Sequence, residues 1–446
     1  KLLGKVYYYK NDYDNAVRYL KKTSMDNEVN YLLGKIYYEQ EQYFNALRFF
    51  TLSNWAESYY YRGRIYEING DYNKAIKVYD SLCNLYKNSS YANLSLKRKA
   101  FLLEDIGDTL KAIETLLRVG EKNTKFRAAL QSFRIGKLSD AAEILKDSDS
   151  PEYIYWLIRV KERLGEPVES LKNYLVAQHP FSYYTLFKFD NNILFDTIQS
   201  EIWLRQFCGD SSVSFDCEDS LHLHNGVRYL SLNELDYAIK ELEMIDDLSC
   251  QDLYYLCKLC AQYGADRASI LFGLQIKRQM EKLNVRRFPK EIYKLLYPLR
   301  YIPTIMEQDG ELSLYLAMIW LESLFDPRAT SPANAQGLMQ IIPQTGSKIA
   351  QELGMPSYTL YDYTISIKFG THYFKNLLTD FNSIPLSLAA YNGGSINVKK
   401  WINKNPNAEL DEFIELIPFN ETRNYIKSVL ALQFIYKNLL SSSLSP

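Results

Sequence analysis

Apolar positions recur along this chain with the spacing of amphipathic helices, and no stretch sustains an apolar-polar alternation at period two. The chain is therefore expected to be all-α, with at most a minimal sheet. Before residue 250 a longer period overlies the helical one: Gly4, Gly34 and Gly63 recur at intervals of 30 and 29, each followed twelve residues later by Ala16, Ala46 or Ala75. Tyr13, Tyr43 and Tyr72 stand three positions before those alanines, and Asn69-Gly70-Asp71 reads as the turn between two helices. Fainter copies run from Ala100 to Ala112, from Gly136 to Ala142, and from Gly226 to Ala238 with Tyr237 beside it. A repeat cannot bury its apolar face alone, so stacked units are expected to build a curved superhelix with a concave surface. The rhythm breaks at Arg286-Arg287-Phe288-Pro289 and Leu296-Tyr297-Pro298. This sets the expected division: a repeat and linker region over 1–295 and a second module over 296–446. The tail from Ser441 to Pro446 is expected to lack structure.

Within the second module, residues from Leu312 to Phe325 are apolar on almost every side of a helical wheel, the pattern of a buried helix. Glu322 lies near its end. Apolar surroundings disfavour a charged carboxylate, so its pKa should rise towards the range in which it donates a proton at ordinary pH, as a general acid must. The helix is expected to stop before Pro327, which leaves Glu322 in the final turn facing a loop. A general acid often works beside a second ionisable group. The nearby candidate, Asp326, directly precedes Pro327 and reads better as a helix-end residue.

Composition narrows the function. A formal net charge of −1 leaves no basic footprint for nucleic acid or anionic membrane, and no apolar run reaches the roughly 18 residues of a membrane span. The sequence opens inside a repeat, so any leader peptide is expected to have been removed or to lie outside it. The even count of Cys83, Cys208, Cys217, Cys250, Cys257 and Cys260 permits disulfides, but Cys257 and Cys260 lie in an apolar helical segment without the second pair of a zinc site, and buried thiols are the expected state. His222 and His224 are two apart, on different sides of a helix, so neither they nor the scattered His179 and His372 suggest a metal, and no glycine-rich phosphate loop indicates a nucleotide. Aromatic residues make up 14% of the chain; stacking on sugars is open to them, but packing between helices is the expected role.

Three blocks over about a hundred residues carry a resemblance. Glu322-Ser323 with Phe325, Pro327, Ser331, Gly337-Leu338-Met339-Gln340 and Pro343 form the first. Ala390-Tyr391-Asn392 with Gly394 form the second, and Ile417-Pro418-Phe419 with Glu421-Thr422-Arg423 and Tyr425 the third. Together they resemble the catalytic core of the soluble lytic transglycosylases, and the glycine-alanine-tyrosine period resembles tetratricopeptide repeats, in which small residues let paired helices approach. Pro180-Phe181-Ser182-Tyr183-Tyr184 and Tyr297-Pro298 also look like segments that the family has before its catalytic domain. The resemblance implies an all-α chain in which a helical-repeat superhelix, closed into a ring in the family, precedes a goose-type-lysozyme-like, mostly α catalytic domain. Departures lie at Trp320-Leu321, Asn334, Ile342 and Gly393, where the family often has Arg-Gln, Gly, Met and Ala.

As an expectation from that resemblance, Glu322 cleaves the β-1,4 bond between N-acetylmuramic acid and N-acetylglucosamine and leaves 1,6-anhydro ends, without cofactor or metal. Ser331 would lie in the turn facing the acid and hydrogen-bond it or the substrate's N-acetyl group; Gly337, Met339, Gln340 and Ile342 would run past the sugar, glycine allowing close backbone approach and Gln340 offering its amide. Tyr391 would bring its hydroxyl near Glu322, Asn392 would hold the Gly393-Gly394 turn, and Glu421 and Tyr425 would share a helix face towards the cleft. The expected partner is a peptidoglycan glycan strand, not nucleic acid, in a bacterial envelope compartment such as the periplasm, with protein partners on the repeat surface left open. A hydrolase of the same fold and a non-catalytic repeat scaffold that binds glycan are the alternatives.

Overall fold

The glycines of the repeat stand where two helices touch. In the computed structural model, a Cβ placed on Gly4, Gly34, Gly63 or Gly226 would come within 2.7, 2.6, 2.3 or 2.5 Å of Leu20, Phe50, Tyr79 or Leu242, each sixteen residues further on. All four partners are buried. The pairing is thus one device used four times: a bare backbone in the first helix receives a large side chain from the second. Ala16, Ala46, Ala75 and Ala238 are fully buried in the same seams.

The structure describes residues 1–188, 217–245, 248–282, 285 and 288–444, with side chains at all of these except 187–188, 217–220 and 442–444. Two compact units are present, Lys1–Lys172 and Asn173–Pro446. The first is a series of helical hairpins beginning with Leu2–Tyr9 and Tyr13–Leu20, then Asn27–Glu39 and Tyr43–Thr51, then Ala56–Ile68 and Tyr72–Leu85. Aspartate side chains cap several of these helices: Asp12, Asp26 and Asp108 accept backbone N–H groups of the first turn. Glu67 ties three helices of this unit together, accepting from Tyr79 at 2.7 Å, from Arg64 at 2.5 Å and from the Arg98 guanidinium. Tyrosine rings fill the seams, as in the stacked pairs Tyr37–Phe49 and Phe50–Tyr61, which supports the packing role over a sugar-binding one.

The break between compact units lies at Lys172/Asn173, whereas the expected division at 295/296 falls inside the second unit. Tyr297 explains why. Its ring is buried against Tyr293, Trp320 and Tyr436, so the proline-marked break is a bend in a continuous core. The second unit contains further hairpins, Cys217–Ser231 with Leu235–Leu242 and Cys250–Gln262 with Asp266–Lys282. Beyond them come an acid helix, Leu312–Ser323, then Pro343–Glu352, Tyr363–Phe381, Ile384–Gly393, Ser395–Lys404, Leu410–Leu416 and a C-terminal helix, Asn420–Leu444. That last helix corrects the expectation for 441–444, since it continues through Ser441 to Leu444, while 445–446 lie outside the described residues. No strand occurs among the described residues; isolated bridges join Thr330 to Gln336 and Gln336 to Ile341. Cys83, Cys257 and Cys260 are buried free thiols and Cys250 is half-buried, while Cys208 and the Cys217 side chain lie outside the described residues.

Candidate active site

The acid helix is buried on all sides from Ser313 to Ile319, as its uniform apolarity requires. It ends earlier than Pro327 demands. Leu324 and Phe325 both adopt left-handed backbone angles, φ 51° and 64°, which cost of order 1–3 kcal/mol each in a residue with a Cβ. The burial of Phe325, stacked on Tyr301, offsets that strain. The sharp stop leaves Glu322 in the last turn with part of its surface open to solvent.

Its carboxyl is nevertheless enclosed enough that burial pushes its pKa up to about 7, with a push in the same direction from the Glu421 carboxylate. The Tyr425 hydroxyl opposes both, facing the carboxyl without reaching strict hydrogen-bond geometry. Tyr391 also senses the Glu322 charge. Burial holds the phenols of Tyr391 and Tyr425 far above their usual range, so both stay protonated beside the acid. The two rings stack with centroids 6.5 Å apart and planes 5° from parallel. The acid helix packs along the C-terminal helix, which brings Tyr425 and Glu421 to Glu322 across about a hundred residues of sequence.

The loop after the acid helix is wired internally. Ser331 accepts the Ala335 N–H through Oγ at 3.0 Å, closing its own turn rather than reaching the acid. The Gln340 amide N–H groups donate to the carbonyls of Ala329, at 3.1 Å, and Gly337, at 2.9 Å, so both are directed into the loop. Gly337, at φ 76°, permits a close backbone approach as expected, but to the Leu360 carbonyl of the protein. Met339 is fully buried beside Gly370, and its carbonyl accepts the Tyr391 hydroxyl at 2.7 Å. Ile342 alone of this run is well exposed, at 49%.

Asn392 does more than hold a glycine turn. It donates to Glu421 at 3.3 Å and accepts from Thr422 at 2.6 Å, joining the end of Ile384–Gly393 to the start of the C-terminal helix. Gly393 is confined by Thr422 and Trp401, where a Cβ would need its neighbours to move. Trp320 points to the other side of the acid helix: its indole N–H donates to the Leu296 carbonyl at 2.7 Å. Asp326 is engaged with Arg267 at 3.0 Å and with the Arg328 N–H, which fits a helix-end role. His222 pairs with Glu241 and His372 with Glu352, each at 2.8 Å, and no cluster of metal-ligating side chains occurs among the described residues.

A carboxyl with a raised pKa thus lies beside two protonated phenols and a tightly wired loop on an all-α scaffold. Residues 305–414 match the family model for the transglycosylase SLT domain, residues 416–444 the soluble lytic transglycosylase helical domain, and residues 56–89 a tetratricopeptide repeat. The match to the transglycosylase SLT domain thus covers about a quarter of the chain. Over 131 residues it is 37% identical to the soluble lytic murein transglycosylase of Escherichia coli K12, a stretch that is 28% of this chain and 20% of that protein. Over 124 residues it is 36% identical to membrane-bound lytic murein transglycosylase D of the same organism, 26% of each. The chain spans about a fifth to a quarter of the length of these relatives.

Solved structures extend the likeness in fold to nearly the whole chain. The 70 kDa soluble lytic transglycosylase of Escherichia coli superposes with a TM-score of 0.69 at 19% identity, covering 96% of this chain and 72% of that one. An inactive mutant of the lytic transglycosylase Slt from Pseudomonas aeruginosa gives 0.60 at 16% identity, covering 98% and 86%.

Proposed function

We propose that the protein is a peptidoglycan lytic transglycosylase in which Glu322 is the acid and then the base. The observation that carries this reading is the Glu322 carboxyl, pushed up to about 7 at the open end of a buried helix inside the matched SLT domain. At neutral pH such a group is divided between its two forms, so one residue can serve both steps. Glu322 gives its proton to the oxygen linking N-acetylmuramic acid to N-acetylglucosamine as that bond to C1 breaks. The resulting carboxylate takes the proton of the muramoyl 6-hydroxyl, whose oxygen closes on C1 to give the 1,6-anhydro end, and the acid is restored. Neither water nor a cofactor is consumed.

Glu421, Tyr391, Tyr425, Asn392 and the exposed Ile342 are the groups we assign to the sugar-facing side. For Ser331, Gly337, Met339 and Gln340 the observed contacts support an indirect role, holding the loop past which the glycan runs. A bacterial envelope setting, such as the periplasm, follows from the substrate. One observation favours a second reading: Glu421 lies near enough to raise the pKa of Glu322, so a second carboxylate is available to activate water, as in a hydrolase. Mass spectrometry of the products from purified peptidoglycan separates the two, because only transglycosylation leaves anhydro ends. Glu322→Gln should abolish either activity, by about 10² to 10⁴ in rate. Wild-type turnover in that variant would remove Glu322 from the mechanism.

A further inference from the structure

The Pro180-Phe181-Ser182-Tyr183-Tyr184 segment has no part in the chemistry above, yet Tyr184 makes a buried contact with the catalytic module. Its hydroxyl donates to Glu415 at 2.7 Å and accepts from the Lys427 ammonium at 2.7 Å. Lys427 also donates to Glu415 at 2.8 Å and lies over the Tyr184 ring, 5.0 Å from its centroid. Tyr184 and Glu415 are buried and Lys427 is largely so. The three groups come from three helices, Tyr183–Lys188, Leu410–Leu416 and the C-terminal helix. We propose that Tyr184, Glu415 and Lys427 form a clamp that positions the C-terminal helix, and with it Tyr425, against Glu322.

The geometry of that helix makes the connection. Tyr425 and Lys427 are two residues apart, which separates their side chains by about 200° around the axis. Tyr425 meets the acid on one side while Lys427 is held on the other. A buried carboxylate and ammonium that satisfy each other through a shared hydroxyl resist displacement, because a small shift leaves a charge without compensation. The anchor itself is stiff: Thr185, fully buried, donates to the His179 carbonyl at 2.7 Å and takes part in a 2.8 Å hydroxyl contact with Ser182. At the other end, Arg423 donates to the Ile417 carbonyl and fixes the entry to the C-terminal helix. The groups that face Glu322 are Tyr425 and Glu421 from that helix and Tyr391 from Ile384–Gly393, so a change in the helix position alters two of the three together. Tyr184, Glu415 and Lys427 are thus positioning residues, and this inference deepens the transglycosylase reading on which its kinetic part rests.

The test is a ¹³C NMR titration of the Glu322 carboxyl in the full chain, with the signal assigned by its loss in Glu322→Gln, joined to kinetics on peptidoglycan. Tyr425 holds the pKa of Glu322 down, so Tyr425→Phe should raise the titration midpoint. Tyr184→Phe, which keeps the ring and removes the hydroxyl, should displace the midpoint by altering both Tyr425 and Glu421, and should lower kcat several-fold with KM little changed. The double variant should depart from the sum of the single shifts, since both act in part through the Tyr425 contact. An unmoved midpoint in folded Tyr184→Phe, or shifts that simply add, would overturn the clamp. Should Tyr184→Phe fail to fold, Lys427→Arg keeps the charge while changing the geometry, and the same shift or its absence decides. A wild type without lytic activity would defeat the proposed function but leave the titration result standing.

Discussion

The α-carbon of Gly337 packs directly on the carbonyl of Leu360: a Cβ there would lie 1.9 Å from the Leu360 oxygen and 2.7 Å from the Ser366 hydroxyl. Neither the backbone oxygen nor the left-handed angle of Gly337 tolerates a side chain. Gly337→Ala is therefore expected to destabilise the second unit by at least about 1–3 kcal/mol from backbone strain alone, with the collision added. Urea denaturation checks this, and a midpoint equal to wild type would show that the loop has room to move.

The raised pKa of Glu322 has a consequence for stability. Its folded-state pKa of about 7 exceeds the ordinary 4.5, so the folded state holds the proton more tightly than the unfolded chain between those values. Stability from this residue is thus full below about pH 4.5 and is lost as pH rises through about 7. A shift of that size corresponds to roughly 3 kcal/mol before any discount for its open edge. Glu322→Gln should gain Tm relative to wild type on going from pH 5 to pH 8. A constant difference across that range would mean the carboxyl is not buried in solution.

Activity should follow the same group. The protonated acid starts the reaction, so kcat/KM on peptidoglycan should decline with a basic limb near pH 7. A limb set several pH units higher would point to a different acid.

Tyr391 donates its hydroxyl to the buried Met339 carbonyl. Tyr391→Phe leaves that acceptor unsatisfied, at a cost of about 1–3 kcal/mol, and frees the loop that Met339 anchors. Both a lower Tm and a lower kcat are expected, and full stability in this variant would indicate that another donor reaches the carbonyl.

Trp320 has its indole N–H on Leu296 and its ring on Tyr297, away from the acid. Trp320→Phe should therefore lose about 1 kcal/mol of stability and leave the basic limb of the pH profile unmoved. A displaced limb would assign the indole a part in setting the pKa of Glu322.

Much of this protein follows from local pattern alone. The periods of 30 and 29 located the seams, because a glycine in one helix and a large residue sixteen positions on must meet whenever two such helices pair. Glu322 was legible because a carboxylate at the end of an all-round apolar helix has few places to go except an enclosed, partly open site. Tertiary structure alone decided which polar atoms are free. The Gln340 amide N–H groups and the Ser331 hydroxyl oxygen suit a sugar as well as they suit a loop, and the fold directs them to Ala329, Gly337 and Ala335. The direction of Trp320, the link from Asn392 to Glu421 and Thr422, and the meeting of Tyr184 with Glu415, 231 residues apart, were equally beyond local reading. Hydrogen-bond partners distant in sequence are chosen by packing of whole helices, and a residue's type records only its capacity to bond.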